Sequence, residues 1–202
     1  MKYGMNARVY DWVFSKLLKD YYREQGEDLG PALPAVRREY REMIERTPGI
    51  GGSSNEQNLV GACYFFAMAK KIPDMTPQKL DDIIDACIQS KLMVKLHQGK
   101  KKKGTLFAEK TQQKKLEEAE KSHHSDYEMD WEFTYEPGQD EFRLTYTRCG
   151  ICRLAEREQM QDYLPCMCRM DYPKFRLIGG RLERTKTLAA GDDCCNFHVI
   201  RE

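Results

Sequence analysis

The apolar positions change their period about two thirds of the way along the chain. Val9, Trp12, Val13, Phe14, Leu17 and Leu18 recur at helical spacing and lead into Tyr21 and Tyr22, which predicts a helix burying these side chains. Gly26 and the Gly30-Pro31 pair punctuate that segment. A second helix is expected from about Pro34 to Arg46, stopped by Thr47-Pro48-Gly49. In the glycine-rich loop that follows, Ser53 and Ser54 stand three residues before Glu56 and Gln57, the spacing of a capping box. The next helix, Glu56 to Lys71, is apolar on nearly every side and should lie at the centre of the core. Thr76-Pro77 starts another by the N-cap and N1 rule. Leu80, Ile83, Ile84, Cys87, Ile88, Leu92 and Leu96 then form one stripe.

From Trp131 the period is two. Trp131, Phe133 and Tyr135, then Phe142, Leu144 and Tyr146, alternate with polar residues on either side of Pro137-Gly138, the pattern of a hairpin. A helix is expected from Arg153 to about Asp162, and a short one with Pro165 near its start that ends before Pro173. Two more strands, about Arg181–Leu188 and Cys194–Arg201, flank the turn Ala189-Ala190-Gly191-Asp192-Asp193. The expected class is α+β: N-terminal helices packed with a C-terminal antiparallel sheet of about four strands with inserted short helices. The chain divides into a helical N-terminal segment (residues 1–98), a Lys-rich loop or insertion (residues 99–125) and an α+β segment (residues 126–202), together one composite domain.

Composition narrows the function. With 202 residues and 41% apolar residues the chain can bury a real core. Lys+Arg 33 against Asp+Glu 32 removes any global attraction to nucleic acid or anionic lipid, so neither partner is expected. The run of Lys100 to Lys103 and the lysines after it have the composition of a solvated surface insertion, with nucleic-acid contact as the sharper alternative. The longest apolar stretch, Leu59 to Ala69, falls well short of the ~20 residues of a membrane span. The N-terminus has no apolar leader, so a cytoplasmic location is expected and the eight cysteines read as thiols rather than a disulfide framework.

Six of those cysteines fall between 149 and 195. Cys149, Cys152, Cys166 and Cys168 have the look of a zinc knuckle, although the second pair has a single intervening residue; buried or reactive thiols are the other reading. On the short helix, Cys168 and Asp171 are three apart and so share a face with Leu164. On the following strand either Arg184 and Lys186 interrupt an apolar face, or Thr185 and Thr187 point inward. An inward Arg184 requires an anionic partner, for which Asp171 is the candidate, either as a plain ion pair or within a functional site. His198 lies on the opposite face of the last strand from Cys195, Phe197 and Val199, and reads either as a surface residue or as a base. No P-loop, dinucleotide fingerprint or Gly-x-Ser-x-Gly is present.

The run Leu182-Glu183-Arg184-Thr185-Lys186-Thr187-Leu188-Ala189-Ala190-Gly191-Asp192-Asp193-Cys194-Cys195-Asn196-Phe197 resembles the C-terminal signature of the L-2-amino-thiazoline-4-carboxylic acid hydrolase family. Ile50-Gly51-Gly52 with Asn55, Cys149 to Leu154 and Cys168 to Tyr172 agree with it in order, so the resemblance spans about residues 40–202. It implies a hydrolase that opens the thiazoline ring of a cysteine-derived amidine to N-carbamoyl-L-cysteine, with a small-molecule substrate and no cofactor, zinc being the alternative. Asp171, then Asp192, is the expected base. Arg184 would hold the substrate carboxylate, with Thr185, Thr187 and Asn55 as further binding residues. Cys168 or Cys195 would attack, or protonate the departing thiolate. The family commonly carries Asp where this chain has Asn196. In the distantly similar vinyl-reductase-type domains a zinc set falls on positions occupied here by Arg184 and Thr187, so that set is not intact. A non-catalytic ligand-binding module and a small zinc-binding interaction protein are the competing readings.

Overall fold

A computed structural model describes all of residues 1–202. The helices are α1 Met5–Glu24, α2 Leu33–Arg46, α3 Glu56–Lys71, α4 Pro77–Gln89, α5 Lys91–Lys102, α6 Glu109–Ser122, α7 Gly150–Glu158, α8 Leu164–Arg169 and α9 Asp171–Leu177. The strands β1 Glu132–Glu136, β2 Glu141–Arg148, β3 Gly180–Glu183 and β4 Cys195–Arg201 make one antiparallel sheet in the order β1-β2-β4-β3. The class is α+β. No helix is long and apolar enough to cross a membrane.

The helix apolar all round is the central one: Leu59 to Met68 of α3 are buried without interruption. Its start differs from the capping-box expectation. Asn55 is the N-cap, with helical backbone angles and no side-chain capping bond, while Ser53 Oγ accepts from the Asn55 N–H at 3.3 Å. The α1 stripe is only half used. Leu17, Leu18 and Tyr22 are buried, but Val9 and Trp12 remain 53% and 66% exposed. The stripe that starts at Leu80 also breaks. Ser90 turns out of helical geometry at ψ 148° and its hydroxyl caps a new helix through the Met93 N–H, so Leu96 is carried to the surface.

The Lys-rich segment is helical rather than a loop. After the end of α5 and a short 3-10 turn, α6 packs on β1 through residues a hydrophobic scan passes over. Ala119 is buried, and Ser122 Oγ accepts from the Phe133 N–H at 3.1 Å. The Gln112 carboxamide clamps the hairpin, accepting from Gly138 N–H at 2.8 Å and donating to its carbonyl at 2.7 Å. Most of the lysines stay exposed.

Three further boundaries shift. Helix α7 begins at Gly150, with Cys149 as N-cap, and at Gly150 the Met129 carbonyl and the Trp131 ring leave no room for a Cβ. Pro173 does not end a helix but sits in the first turn of α9, where no N–H is needed. Strand β3 stops at Glu183 instead of reaching Leu188, the last rung pairing Glu183 with His198.

Glu158 ties this half to the helices. It accepts from Arg46 and Lys70, both at 2.6 Å, and those hydrogen bonds, Arg46 foremost, hold its carboxyl down at about 2, against 4.5 ordinarily. A depressed carboxyl contributes stability above its unfolded value and loses it as pH falls through the folded one. Glu158→Gln is therefore expected to cost roughly 2 kcal/mol at neutral pH, discounted for the half-exposed Arg46. In urea melts across pH, that deficit should vanish between about 4.5 and about 2.

Candidate functional site

A cavity of about 550 Å³ lies between the helical half and the sheet. Helices α1, α3 and α5 form one side. The start of α7, α8, α9 and the inner face of β4 form the other. Its polar corner is built around Arg184, whose side chain is only 4% exposed.

Two edges and both faces of that guanidinium meet protein groups. Nη1 donates to Asp171 Oδ2 at 3.1 Å and Nη2 to the Cys168 carbonyl at 2.8 Å. Its plane is flanked by the Phe197 ring at 4.8 Å and the Tyr172 ring at 5.2 Å. The aliphatic and aromatic surroundings make the charge tolerable only because the carboxylate and carbonyl meet it.

The signature run explains how Arg184 is held. Asn196 Oδ1 accepts from the backbone N–H groups of Thr185 and Lys186, at 3.1 and 2.7 Å, and its Nδ2 donates to Thr185 Oγ1 at 2.8 Å. Thr187 Oγ1 accepts from Ala190 N–H, and Asp192 accepts from Thr187 N–H at 2.7 Å. Gly191 closes the turn at φ +89°, where a side chain would be strained. Residues 185–192 are thus a self-bonded brace. Thr185, Thr187 and Asp192, expected at the substrate, are not on the cavity wall. An Asp at 196 could accept the same two backbone bonds, so Asn196 preserves the brace.

Asp171 is the first residue of α9, on a different helix from Cys168, and the two meet across the α8–α9 junction rather than along one face. Burial pushes the Asp171 carboxyl above its ordinary value, with Lys174 and Arg184 pulling in the other direction. Lys174, one turn on, lines the same cavity, and so do Asn55, Cys149, Cys152, Cys168 and Cys195. Burial raises the Cys168 thiol to about 12 and the Cys195 thiol to about 11, although the Leu188 N–H bonded to Cys195 Sγ opposes the latter. Cys149 is raised chiefly by its bond with the Cys152 thiol, then by burial.

The zinc reading fares differently. Cys166 turns away to the Pro77 carbonyl at 3.1 Å, and nowhere are three His, Cys, Asp or Glu side chains gathered as a metal would require. The four cysteines Cys149, Cys152, Cys166 and Cys168 do not converge. His198 is off the cavity, between Glu141 at 2.6 Å and Glu183 at 3.5 Å. Sequence reasoning does not single out Lys174, Phe197 or Tyr172 as site residues; recognising Pro173 as a helix-starting rather than helix-ending proline would put Lys174 one turn from Asp171.

The profile of the L-2-amino-thiazoline-4-carboxylic acid hydrolase family matches residues 54–199, well over half of the chain. The chain belongs to this family. The matched span holds both sides of the polar corner, including Asp171, Arg184 and the brace, but omits α1 and α2. No curated protein and no solved structure matches it. A member of the L-2-amino-thiazoline-4-carboxylic acid hydrolase family thus presents an acid–guanidinium pair at the wall of a cavity that opens to solvent.

Proposed function

We propose that the protein hydrolyses a cysteine-derived 2-amino-thiazoline-4-carboxylate or a closely related cyclic amidine. The observation that carries this reading is the Asp171–Arg184 pair at the cavity wall in a chain of this family. Water adds to the ring carbon between sulfur and nitrogen while Asp171 takes its proton. Burial makes Asp171 a stronger base than an exposed carboxylate, and Arg184 fixes its orientation. Asp171 passes that proton to the ring nitrogen, which has taken the electron pair of the C=N bond. The adduct then collapses as its hydroxyl oxygen closes to a carbonyl and the carbon–sulfur bond breaks, and Asp171 carries the hydroxyl proton to the departing sulfur. The product is the open N-carbamoyl thiol. Lys174, which lines the cavity with Arg184, is placed to meet the substrate carboxylate beside it.

The thiols take no direct role in this scheme. At about 12 and about 11, Cys168 and Cys195 are neutral at physiological pH. Neither attacks, and neither hands a proton downhill to a cysteine-type thiolate, whose acid titrates near ~8.5. Cys168→Ser and Cys195→Ser should each keep turnover within about threefold of the parent, as the other steps are untouched. A free-thiol assay with the plain thiazoline and with ring-alkylated thiazolines tests the activity itself; no thiol above the uncatalysed background from any of them removes the hydrolase reading. The mostly apolar wall favours a second reading, a binding module with the same pocket, for which a raised melting temperature without thiol release is the signature.

A further inference from the structure

The cavity is too large for the heterocycle assigned to it. A 2-amino-thiazoline carboxylate has about nine non-hydrogen atoms and at interior packing density fills roughly 150 Å³. Against a volume of about 550 Å³, most of the space is left over. The walls of that space are apolar: Val13 and Phe14 of α1, Phe65 of α3, Ile88 of α4, Met93 of α5 and Phe175 of α9. A mostly apolar concavity of this size with a few polar groups at one corner has the make-up of a ligand pocket.

Charge is as uneven as volume. Lys100, Lys115, Lys174 and Arg184 line the cavity, and the sole acid on its wall is Asp171. Lys115 is compensated outside by Glu118 at 2.7 Å. In the polar corner Asp171 feels both Lys174 and Arg184, which leaves one positive charge over. The rim is apolar where it opens: Val9 of α1 and Leu96 of α5 stay 53% and 58% exposed while lining the cavity.

We infer that the ligand of this cavity is an amphiphilic anion, with its carboxylate beside Lys174 and Arg184 and an apolar body of roughly ten to twenty non-hydrogen atoms between α1, α3 and α5. On the hydrolase reading, which this inference takes as its starting point, the ring carries that body as a substituent. The apolar lips formed by Val9 and Leu96 are the way in.

Binding can be read without turnover. The chain has two tryptophans. Trp12 is exposed and off the cavity, whereas Trp131 lines it. In a Trp12→Phe protein, Trp131 fluorescence is followed on titration with straight-chain carboxylates from butyrate to dodecanoate, below micelle formation, and with the matching alcohols. Each added methylene should tighten Kd about threefold to fourfold until the cavity is full. The alcohols should bind at least about tenfold more weakly than the acids, and Lys174→Ala, at an exposed position, should abolish that difference while leaving the alcohols unchanged. Val13→Phe should weaken dodecanoate and spare butyrate. A Kd independent of chain length, or alcohols bound as tightly as acids, overturns the inference. The two readings fail separately: thiol release from the unsubstituted thiazoline with a flat carboxylate series sinks this inference alone. A steep series with no thiol release from plain or alkylated thiazolines sinks the hydrolase reading alone.

Discussion

Asp171→Asn is expected to lower kcat for thiol release from the thiazoline by roughly 10²- to 10⁴-fold, the usual worth of a positioned general base. The amide keeps the shape of the carboxylate and can still accept from Arg184 Nη1, so the cavity and KM should change little. The pH profile gives a sharper readout than the rate. As the base, Asp171 must be ionised, so kcat/KM should rise with pH through a limb displaced above 3.8 by burial. In Asp171→Asn that limb should disappear, leaving a flat residual rate. Far-UV circular dichroism and a Trp131 binding titration would show that the fold survives. An Asp171→Asn enzyme with unaltered turnover, or an acid limb that persists in it, means another group takes the proton.

Arg184→Met should have the largest effect on stability. The guanidinium is 4% exposed, and its removal strands a desolvated carboxylate and the Cys168 carbonyl together. Breaking a buried pair from one side costs about 3–5 kcal/mol; the lower figure fits here because the Asp171 side chain is 24% exposed. The sign of the pH dependence follows from burial. Asp171 already titrates above its ordinary value, and without Arg184 it climbs further. A carboxyl raised on folding contributes stability below its unfolded value and loses it as pH rises through the folded one. The deficit of Arg184→Met relative to the parent should therefore be greatest near neutral pH and shrink as acid protonates Asp171 in both proteins. Adding Asp171→Leu should restore some of the stability at neutral pH, since no charge is then left buried. Urea melts of the parent, the single and the double variant measure all three. A deficit unchanged across pH, with no relief in the double variant, would mean that Arg184 stabilises through its contacts with Phe197 and Tyr172 rather than through charge.

Much of this site is legible from residue chemistry. An arginine between apolar positions needs an anion, for which the sequence offers Asp171 as a candidate, and the structure pairs the two at 3.1 Å. The roles of Thr185, Thr187 and Asp192 are not legible, because small polar residues serve a substrate or a turn equally well. In the structure their hydrogen bonds go to Ala190, to Asn196 and to Thr187 N–H, within the brace. The cysteine spacing suggests zinc, but spacing along the chain does not say which way a thiol turns, and Cys166 turns to Pro77.

Local pattern alone determined the α+β class, the central helix α3 and the hairpin, because period and burial are encoded in neighbouring residues. Where elements end, and what their outer faces do, depends on distant partners. Asn196 stops β3 from eleven residues away, and Gln112 recruits the Lys-rich helix to a hairpin turn it meets only in three dimensions. The cavity belongs wholly to that second category. It is space left between helices and sheet, and Trp12, Val9 and Leu96, apolar in sequence like any core residue, remain exposed because no other element comes to cover them.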